Sequence, residues 1–378
     1  MKILLVGEYS RLHNSLKEGL VALGHEVTLI AAGDFFKNFP ADLKLKRRFD
    51  SGFSRKIKIG IHLLTCFDIT SYDLKRQFFD HAGSLKNYDV VQLINEKPIG
   101  VALPYERAIV QFLKKHNKKL FLLCCGTDYL SIKYAHDKKY RYSVLTPYFE
   151  GKISAKKFQH VLKPLHPNYL AHHQFIFNHI EGVVASDIDY HLPMLHHSKY
   201  LGLIPNPINL EKIEFIENRI TDKVVIFHGI NRQNFYKKGN DFFEKALEII
   251  AEKFQHKVEI KVTENVPYQT YIESYNTAHI FLDMVYAYDQ GYNALEAMAK
   301  GKVVFTGAER EFLEYYNLAE DEVCINALPD VDYLVEKLSW LIENPFEIEE
   351  IGKNARKFIE EHHDYRKVAQ QYFEAWSD

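Results

Sequence analysis

The chain has 378 residues, 47% of them hydrophobic, 26% charged and 14% aromatic, with a formal net charge of −2. That balance excludes a disordered chain and a strongly basic nucleic-acid binder, and the length favours two domains of about 200 and 170 residues. Four cysteines are too few for a disulfide framework or a zinc site, and no run approaches the ~18 apolar residues of a membrane span. The apolar start Met1–Gly7 is interrupted at once by Glu8-Tyr9-Ser10-Arg11, so no signal peptide is expected.

Lys2–Val6 reads as a strand, Arg11–Leu23 as a helix stopped at Gly24, and Glu26–Ala31 as a second strand. This opening suits a Rossmann-like half, whose ligands bind beyond the carboxyl ends of the strands. Gly7, Glu8 and Tyr9 are therefore expected to face a cleft. The loop lacks the later glycines of the dinucleotide fingerprint, which disfavours NAD. Between Lys37 and Lys58, eight Lys/Arg stand against Asp42 and Asp50. The stretch leads to an expected strand at Ile57–Leu64. It is either a solvated loop or a basic, Phe-bearing surface resting on anionic membrane.

Asp89–Asn95 and Lys119–Cys125 read as strands around the helix Leu103–His116. Asp128 in the following Gly126-Thr127-Asp128 is either a turn or capping residue or a cleft group. From Lys133 to Lys163 eight Lys/Arg stand against Asp137 and Glu150, and eight histidines between His160 and His197 lack compact metal spacing. Asp187-x-Asp189 and Asp330-x-Asp332 fall at expected helix starts, so both are read as caps and no metal is expected. Pro205-Asn206-Pro207 marks a domain boundary.

The second half starts afresh with a strand at Lys223–His228, the loop Gly229–Gly239 and a helix at Asp241–Phe254. Lys257–Val262 is a strand, followed by a loop with Thr263 and Asn265, and His279–Val285 reads as a buried strand. Next come a glycine loop, a helix at Asn293–Ala299 stopped by Gly301, and a strand at Lys302–Thr306. A loop that delivers the chain to a helix N-terminus aims N–H groups and partial positive charge at one spot, which suits a phosphate. Asn293 and Glu296 also fit a capping box with Asn293 as N-cap. Asp364–Trp376 is an amphipathic terminal helix with Val368, Tyr372 and Trp376 on one face.

The segment Gly291-x-x-x-Leu295-Glu296-Ala297-Met298-Ala299-x-Gly301-x-x-Val304 resembles the donor-binding segment of glycosyltransferase family 4, nucleotide-sugar enzymes of GT-B fold. Lys238-Gly239, Gly126-x-Asp128 and Pro205-Asn206 resemble further parts of that family. The resemblance implies an α/β protein of two Rossmann-like domains facing a central cleft. Residues 1–207 would form the acceptor-side domain, 208–360 the donor domain, and 361–378 a helix that crosses back to the first.

Glu296 would contact the ribose, and Gly291, Tyr292, Asn293, Ala294 and Leu295 would line the diphosphate. Thr263 and Asn265 would lie by the nucleobase, and Gly7, Glu8 and Tyr9 on the acceptor side. Arg232, Lys238 and Asp128 are the catalytic candidates. The place of the family's first glutamate is taken by Tyr288, with Asp289 next.

The implied activity is transfer of a hexosyl group from a nucleotide-sugar to a glycan or lipid-linked acceptor, with retention, in polysaccharide or glycoconjugate synthesis. No metal, organic cofactor or nucleic acid is expected. The expected place is the cytoplasm, at or near the inner face of the membrane. A nucleotide-sugar epimerase and a non-catalytic nucleotide- or carbohydrate-binding protein on the same frame are the alternatives.

Overall fold

Short strands of Val, Ile, Leu and Phe, buried on both faces, can only be satisfied between layers of helices, which is the environment of a parallel sheet. The computed structural model, which describes residues 1–33, 39–266 and 268–377, has two such sheets. The first is formed by β1 (Lys2–Val6), β2 (Glu26–Ala31), β3 (Leu43–Lys44), β4 (Val90–Leu93), β5 (Lys119–Cys124), β6 (Gly182–Ala185) and β7 (Tyr200–Leu203). Its order is β3-β2-β1-β4-β5-β6-β7, parallel throughout. The second is formed by β8 (Val224–Ile230), β9 (Val258–Glu264), β10 (Ile280–Leu282), β11 (Val303–Thr306) and β12 (Ile325–Asn326), in the order β12-β11-β10-β8-β9, again parallel.

Each order reverses direction once, between β1 and β4 and between β8 and β10. Such switch points open a crevice at the carboxyl ends of the strands. Cys124 and Cys125 fall into different apolar cores, one on each side of the first sheet, as alternation along a strand requires.

In the first domain α1 (Leu12–Ala22), α2 (Gly52–Thr65), α3 (Ile69–Asp80), α4 (Leu103–His116) and α5 (Tyr129–His136) lie between or after the strands. The strand expected at Ile57–Leu64 is instead most of α2. Lys56-Ile57-Lys58-Ile59-Gly60-Ile61 alternates with a period of two and so reads as a strand, yet among the described residues no strand neighbours it to pair with. A helix satisfies its backbone internally and needs none.

The terminal helix Tyr365–Ser377 crosses back onto the first domain and packs on α1. Gly19 permits the approach: a Cβ there would lie 2.1 Å from the Tyr365 carbonyl oxygen and 2.7 Å from the Ala369 Cβ. Trp376, fully buried, donates its indole N–H to Gln92 Oε1 at 3.0 Å, deep in the first sheet. Beside it the crossing chains are joined, with Ile208 N donating to His363 O at 2.7 Å and Tyr365 N to Ile208 O at 3.2 Å.

Candidate functional site

The loops that leave β8 and β10 meet at the switch point of the second sheet. Gly239 takes φ +72°, and a Cβ there would stand 2.6 Å from Val285 Cβ, so only glycine lets this loop lie so close to the exit of β10. The closeness brings Lys238 Nζ to 2.7 Å from Asp283 Oδ1, and the Asp283 side chain is only 4% exposed. Asp283 Oδ2 in turn lies 3.9 Å from the position of a Cβ on Gly291.

Gly291 is the N-cap of the helix Tyr292–Ala299, with extended backbone and no side-chain cap, and the helical ladder begins with Leu295 N donating to Gly291 O at 3.1 Å. The helix therefore starts earlier than the sequence suggests. Asn293 has helical backbone and is not the N-cap, which removes the capping-box reading of Glu296. Leu295 N is engaged within the helix and is not a phosphate donor, whereas Tyr292 and Ala294 precede the ladder. Gly301 closes the helix at φ +82°.

Lys238, Asp283 and the Gly291 helix N-terminus thus converge, opposite Gly126 and Thr127 at the carboxyl end of β5. Lys238 and Gly291, with Lys237, Tyr140 and Asp289, line an interdomain cavity of about 220 Å³, and Asp283 stands behind Lys238. Burial beside Lys238 lowers the pKa of Lys237. The sequence reading missed Lys237 and Asp283. Asp283 had a signal, as the one acid in the apolar run from Ile280 to Val285, at a strand's carboxyl end.

Arg232 does not join this group. Its guanidinium pairs with Glu264 at 2.8 Å and Glu244 at 3.4 Å on an exposed surface. Asn265 is with it, accepting from Arg232 N at 3.1 Å, while Thr263 lies at the end of β9.

Asp128 caps α5, its Oδ1 accepting from Ser131 N at 2.7 Å. Burial, reinforced by Glu96, raises its pKa to about 6. Glu96 is itself held by His173 Nδ1 at 2.6 Å, so Asp128 belongs to a buried network in the first domain. Glu8 similarly holds the start of α1, accepting from Asn14 N at 2.8 Å. Gly7 has φ +92° and would bring a Cβ within 2.3 Å of Ile94 Cγ2. Tyr9, next in the loop, is 38% exposed.

The two domains hold one another across the cleft. Asp187 caps the helix Ile188–Met194 as expected, accepting from Tyr190 N at 3.2 Å. Asp189, read as a cap, instead reaches the second domain and accepts from Tyr288 N at 3.0 Å and Asp289 N at 3.2 Å. Asp289 reciprocates, its Oδ2 accepting from Ile188 N at 3.0 Å. Burial raises the pKa values of all three aspartates, and their mutual repulsion adds to the rise for Asp187 and Asp189.

Tyr288 OH accepts from Arg141 N at 2.7 Å, and the Arg141 guanidinium bonds Glu309 and Glu311. Tyr292 OH meets Ser15 Oγ at 2.7 Å. Among the described residues no group of three or more His, Cys, Asp and Glu side chains is arranged to hold a metal. Asp330 caps the helix Val331–Glu343, accepting from Asp332 N and Tyr333 N.

A second, larger groove of about 1300 Å³ opens in the first domain between the start of α3, the loop 97–104 and the segment 148–169. Lys97, Arg107, Lys156 and Lys163 line it, and no ion pair engages any of the four among the described residues. Helix α5 walls both spaces, with Ser131, Ile132 and Ala135 on the small cavity and His136 on the groove.

A family described as "Glycosyl transferase-like" matches residues 228–374, the segment that carries Lys238, Asp283 and the Gly291 helix. No curated protein matches the sequence. Among solved structures, the chain is similar to sucrose-phosphate synthase from Thermosynechococcus elongatus, with a TM-score of 0.61 and 14% identity, covering 100% of this chain and 98% of that one. It is similar to HepE from Anabaena in complex with UDP and glucose, with a TM-score of 0.56 and 12% identity over 100% and 99% of the two chains. UDP-GlcNAc 2-epimerase from Neisseria meningitidis, bound to UDP-GlcNAc, gives a TM-score of 0.51 and 14% identity over 99% of both. Two facing parallel sheets, a crossing-back terminal helix and these full-length likenesses give the chain the GT-B fold.

Proposed function

We propose that this protein transfers a glycosyl group from a nucleoside diphosphate sugar, of the UDP type bound by its structural neighbours, to an acceptor held by the first domain. The observation that carries the reading is the convergence of Lys238 with the Gly291 helix N-terminus at the switch point of the second sheet. A diphosphate leaving group gains charge as the glycosidic bond breaks. A fixed ammonium and helix amides aimed at that spot stabilise it without having to reorganise. Glu296, on the same helix, would accept hydrogen bonds from the ribose hydroxyls. The large basic groove, separated from the cavity by α5, receives the acceptor.

Retention of configuration belongs to the same reading, with the departing β-phosphate taking the acceptor's proton. Tyr288 has no carboxylate to offer the sugar, and its hydroxyl is already engaged by the Arg141 amide. The small cavity is below the ~300–1000 Å³ of ordinary ligand pockets, so the donor enters when the Asp189–Asp289 clasp opens. The test is incubation with a panel of UDP, GDP and ADP sugars, with and without phosphorylated acceptors, scoring nucleotide release and product stereochemistry. Release that depends on acceptor, with an α-linked product from an α-donor, is expected. A new sugar isomer with its nucleotide retained would replace the transferase by an epimerase, and binding without turnover would leave only a binding protein.

A further inference from the structure

Helix α2 is 14 residues long and has no buried residue. Phe53, Leu63 and Leu64 are 77%, 77% and 87% exposed. An isolated helix of this length is marginal in water, and soluble proteins do not normally expose contiguous large apolar side chains. At about 100° per residue, Phe53, Ile57, Ile61 and Leu64 share one stripe, with Lys56 and Lys58 on its flanks and Arg55, Ile59 and His62 farther round. Lys56 and Leu63 stand on one border. Beyond the turn at Cys66, Phe67 and Tyr72 are exposed as well, and their rings lie 5.6 Å apart.

The adjoining segment is strongly basic, although Arg48 also meets Asp73 at 3.6 Å. From Lys44 to Lys58 seven Lys/Arg stand against Asp50 alone, and α2 itself has no Asp or Glu. Asp50 is already bonded to Lys58 at 2.6 Å. We infer that α2 is an interfacial helix that lays its Phe53–Leu64 stripe into an anionic bilayer, with its basic side chains at the lipid phosphates. An apolar stripe with Lys and Arg beside it is what such a surface binds, each cation adding to the attraction.

A second copy of the chain is a poorer occupant. A 14-residue helix is about 21 Å long and about 10 Å across. One face covers on the order of 200 Å², against the ~800 Å² per partner of a standard interface. Pairing α2 with itself through this stripe would also bring the flanking Lys56 and Lys58 of two copies close together.

The placement has a functional sense that rests on the proposed transferase. α2 runs directly into α3, and Asp68 and Ser71 at the start of α3 line the basic groove. Docking α2 sets the mouth of the groove at the level of the headgroups, where a phosphate-linked lipid acceptor would present itself.

The experiment is flotation of the full chain with phosphatidylglycerol-containing vesicles and with pure phosphatidylcholine vesicles, at low and high salt. Wild type is expected to float with the anionic vesicles, to do so weakly with neutral ones, and to release in high salt. Phe53→Glu/Leu64→Glu should abolish flotation. Arg55→Gln/Lys56→Gln/Lys58→Gln should weaken it more than tenfold. These sites are exposed, so melting temperature and UDP affinity should stay at wild-type values, which separates this inference from the donor site. A Leu63→Trp probe should shift to the blue on adding anionic vesicles. Equal partitioning to both lipids, unchanged flotation of the Phe53/Leu64 variant, or a dimer in sedimentation equilibrium that this variant dissolves would each overturn the inference.

Discussion

Replacing Lys238 with alanine removes more than a cation. Asp283 is 4% exposed and has Lys238 Nζ at 2.7 Å, so Lys238→Ala leaves a buried carboxylate without its counter-ion. Breaking a wholly buried pair costs about 3–5 kcal/mol. The Lys238 side chain is 26% exposed, and water offsets part of this, leaving about 2–3 kcal/mol. For a domain of this size that corresponds to a fall in melting temperature of roughly 4–12 °C.

The same change sets a bare negative charge where the diphosphate would lie. UDP affinity by calorimetry should therefore fall by more than the roughly tenfold that loss of one charge-assisted hydrogen bond produces. Lys238→Ala/Asp283→Asn separates the two effects. It should recover most of the melting temperature and part of the affinity, while turnover remains low because no cation faces the leaving group. A folded Lys238→Ala protein that binds UDP and turns over donor as wild type does would refute the assignment of this corner to the phosphates.

Glu296→Gln should melt within about 0.5 kcal/mol of wild type, because Gly291 rather than Asn293 caps the helix, yet bind UDP at least tenfold more weakly by calorimetry; undiminished affinity would move the ribose elsewhere. For the clasp, burial raises the pKa values of Asp189 and Asp289, so the native state holds more protons than the unfolded chain at pH values above the ordinary ~3.9. Stability from these groups should fall as pH rises from there and level off once both are ionised in the folded state. Melting followed across pH should show this slope flattened in Asp189→Asn, and an identical slope in that variant would assign it to other groups. Trp376→Ala should cost about 3–5 kcal/mol, read by denaturant unfolding, since it empties a buried site and takes the donor from Gln92; a loss below 1 kcal/mol would mean that the terminal helix contributes little to the first domain.

Much of the fold was legible because parallel strands buried on both faces leave short continuous apolar runs, such as Ile280-Phe281-Leu282 and Val303-Val304-Phe305. The terminal helix showed itself through Val368, Tyr372 and Trp376 at four-residue spacing. Where periodicity misled, at Ile57–Leu64, the alternation of Lys and Ile was real, but pairing depends on a neighbour that no local pattern announces. In the site, Lys238-Gly239 stood out through the family resemblance, and the Gly291 helix as a loop feeding a helix that Gly301 stops; the backbone demand that only glycine meets lies at Gly239. The Asp189–Asp289 clasp did not, since Asp189 looks like an ordinary capping acid and Asp289 reads only as the neighbour of Tyr288 on the donor side. Their reciprocal bonds join positions a hundred residues apart and exist only once the domains face each other. Arg232 failed for a similar reason, its partners Glu244 and Glu264 lying on a neighbouring helix and strand.

The joining of Ile208 to His363 and Tyr365 has a mechanical side. The polypeptide enters the second domain and leaves it through the same narrow place, and the two passing strands are stitched there by a pair of backbone hydrogen bonds. The His363 ring is held at 2.8 Å by Asn206 O. A body tethered at two adjacent points can swing about the line through them but resists sliding or twisting away. The second domain therefore behaves as a door on one hinge, with the Asp189–Asp289 pair as its latch. On the proposed function, the swing that would admit the donor is a single rotation, which returns Lys238 and Gly291 to the same place opposite Gly126 and Thr127 at every closure.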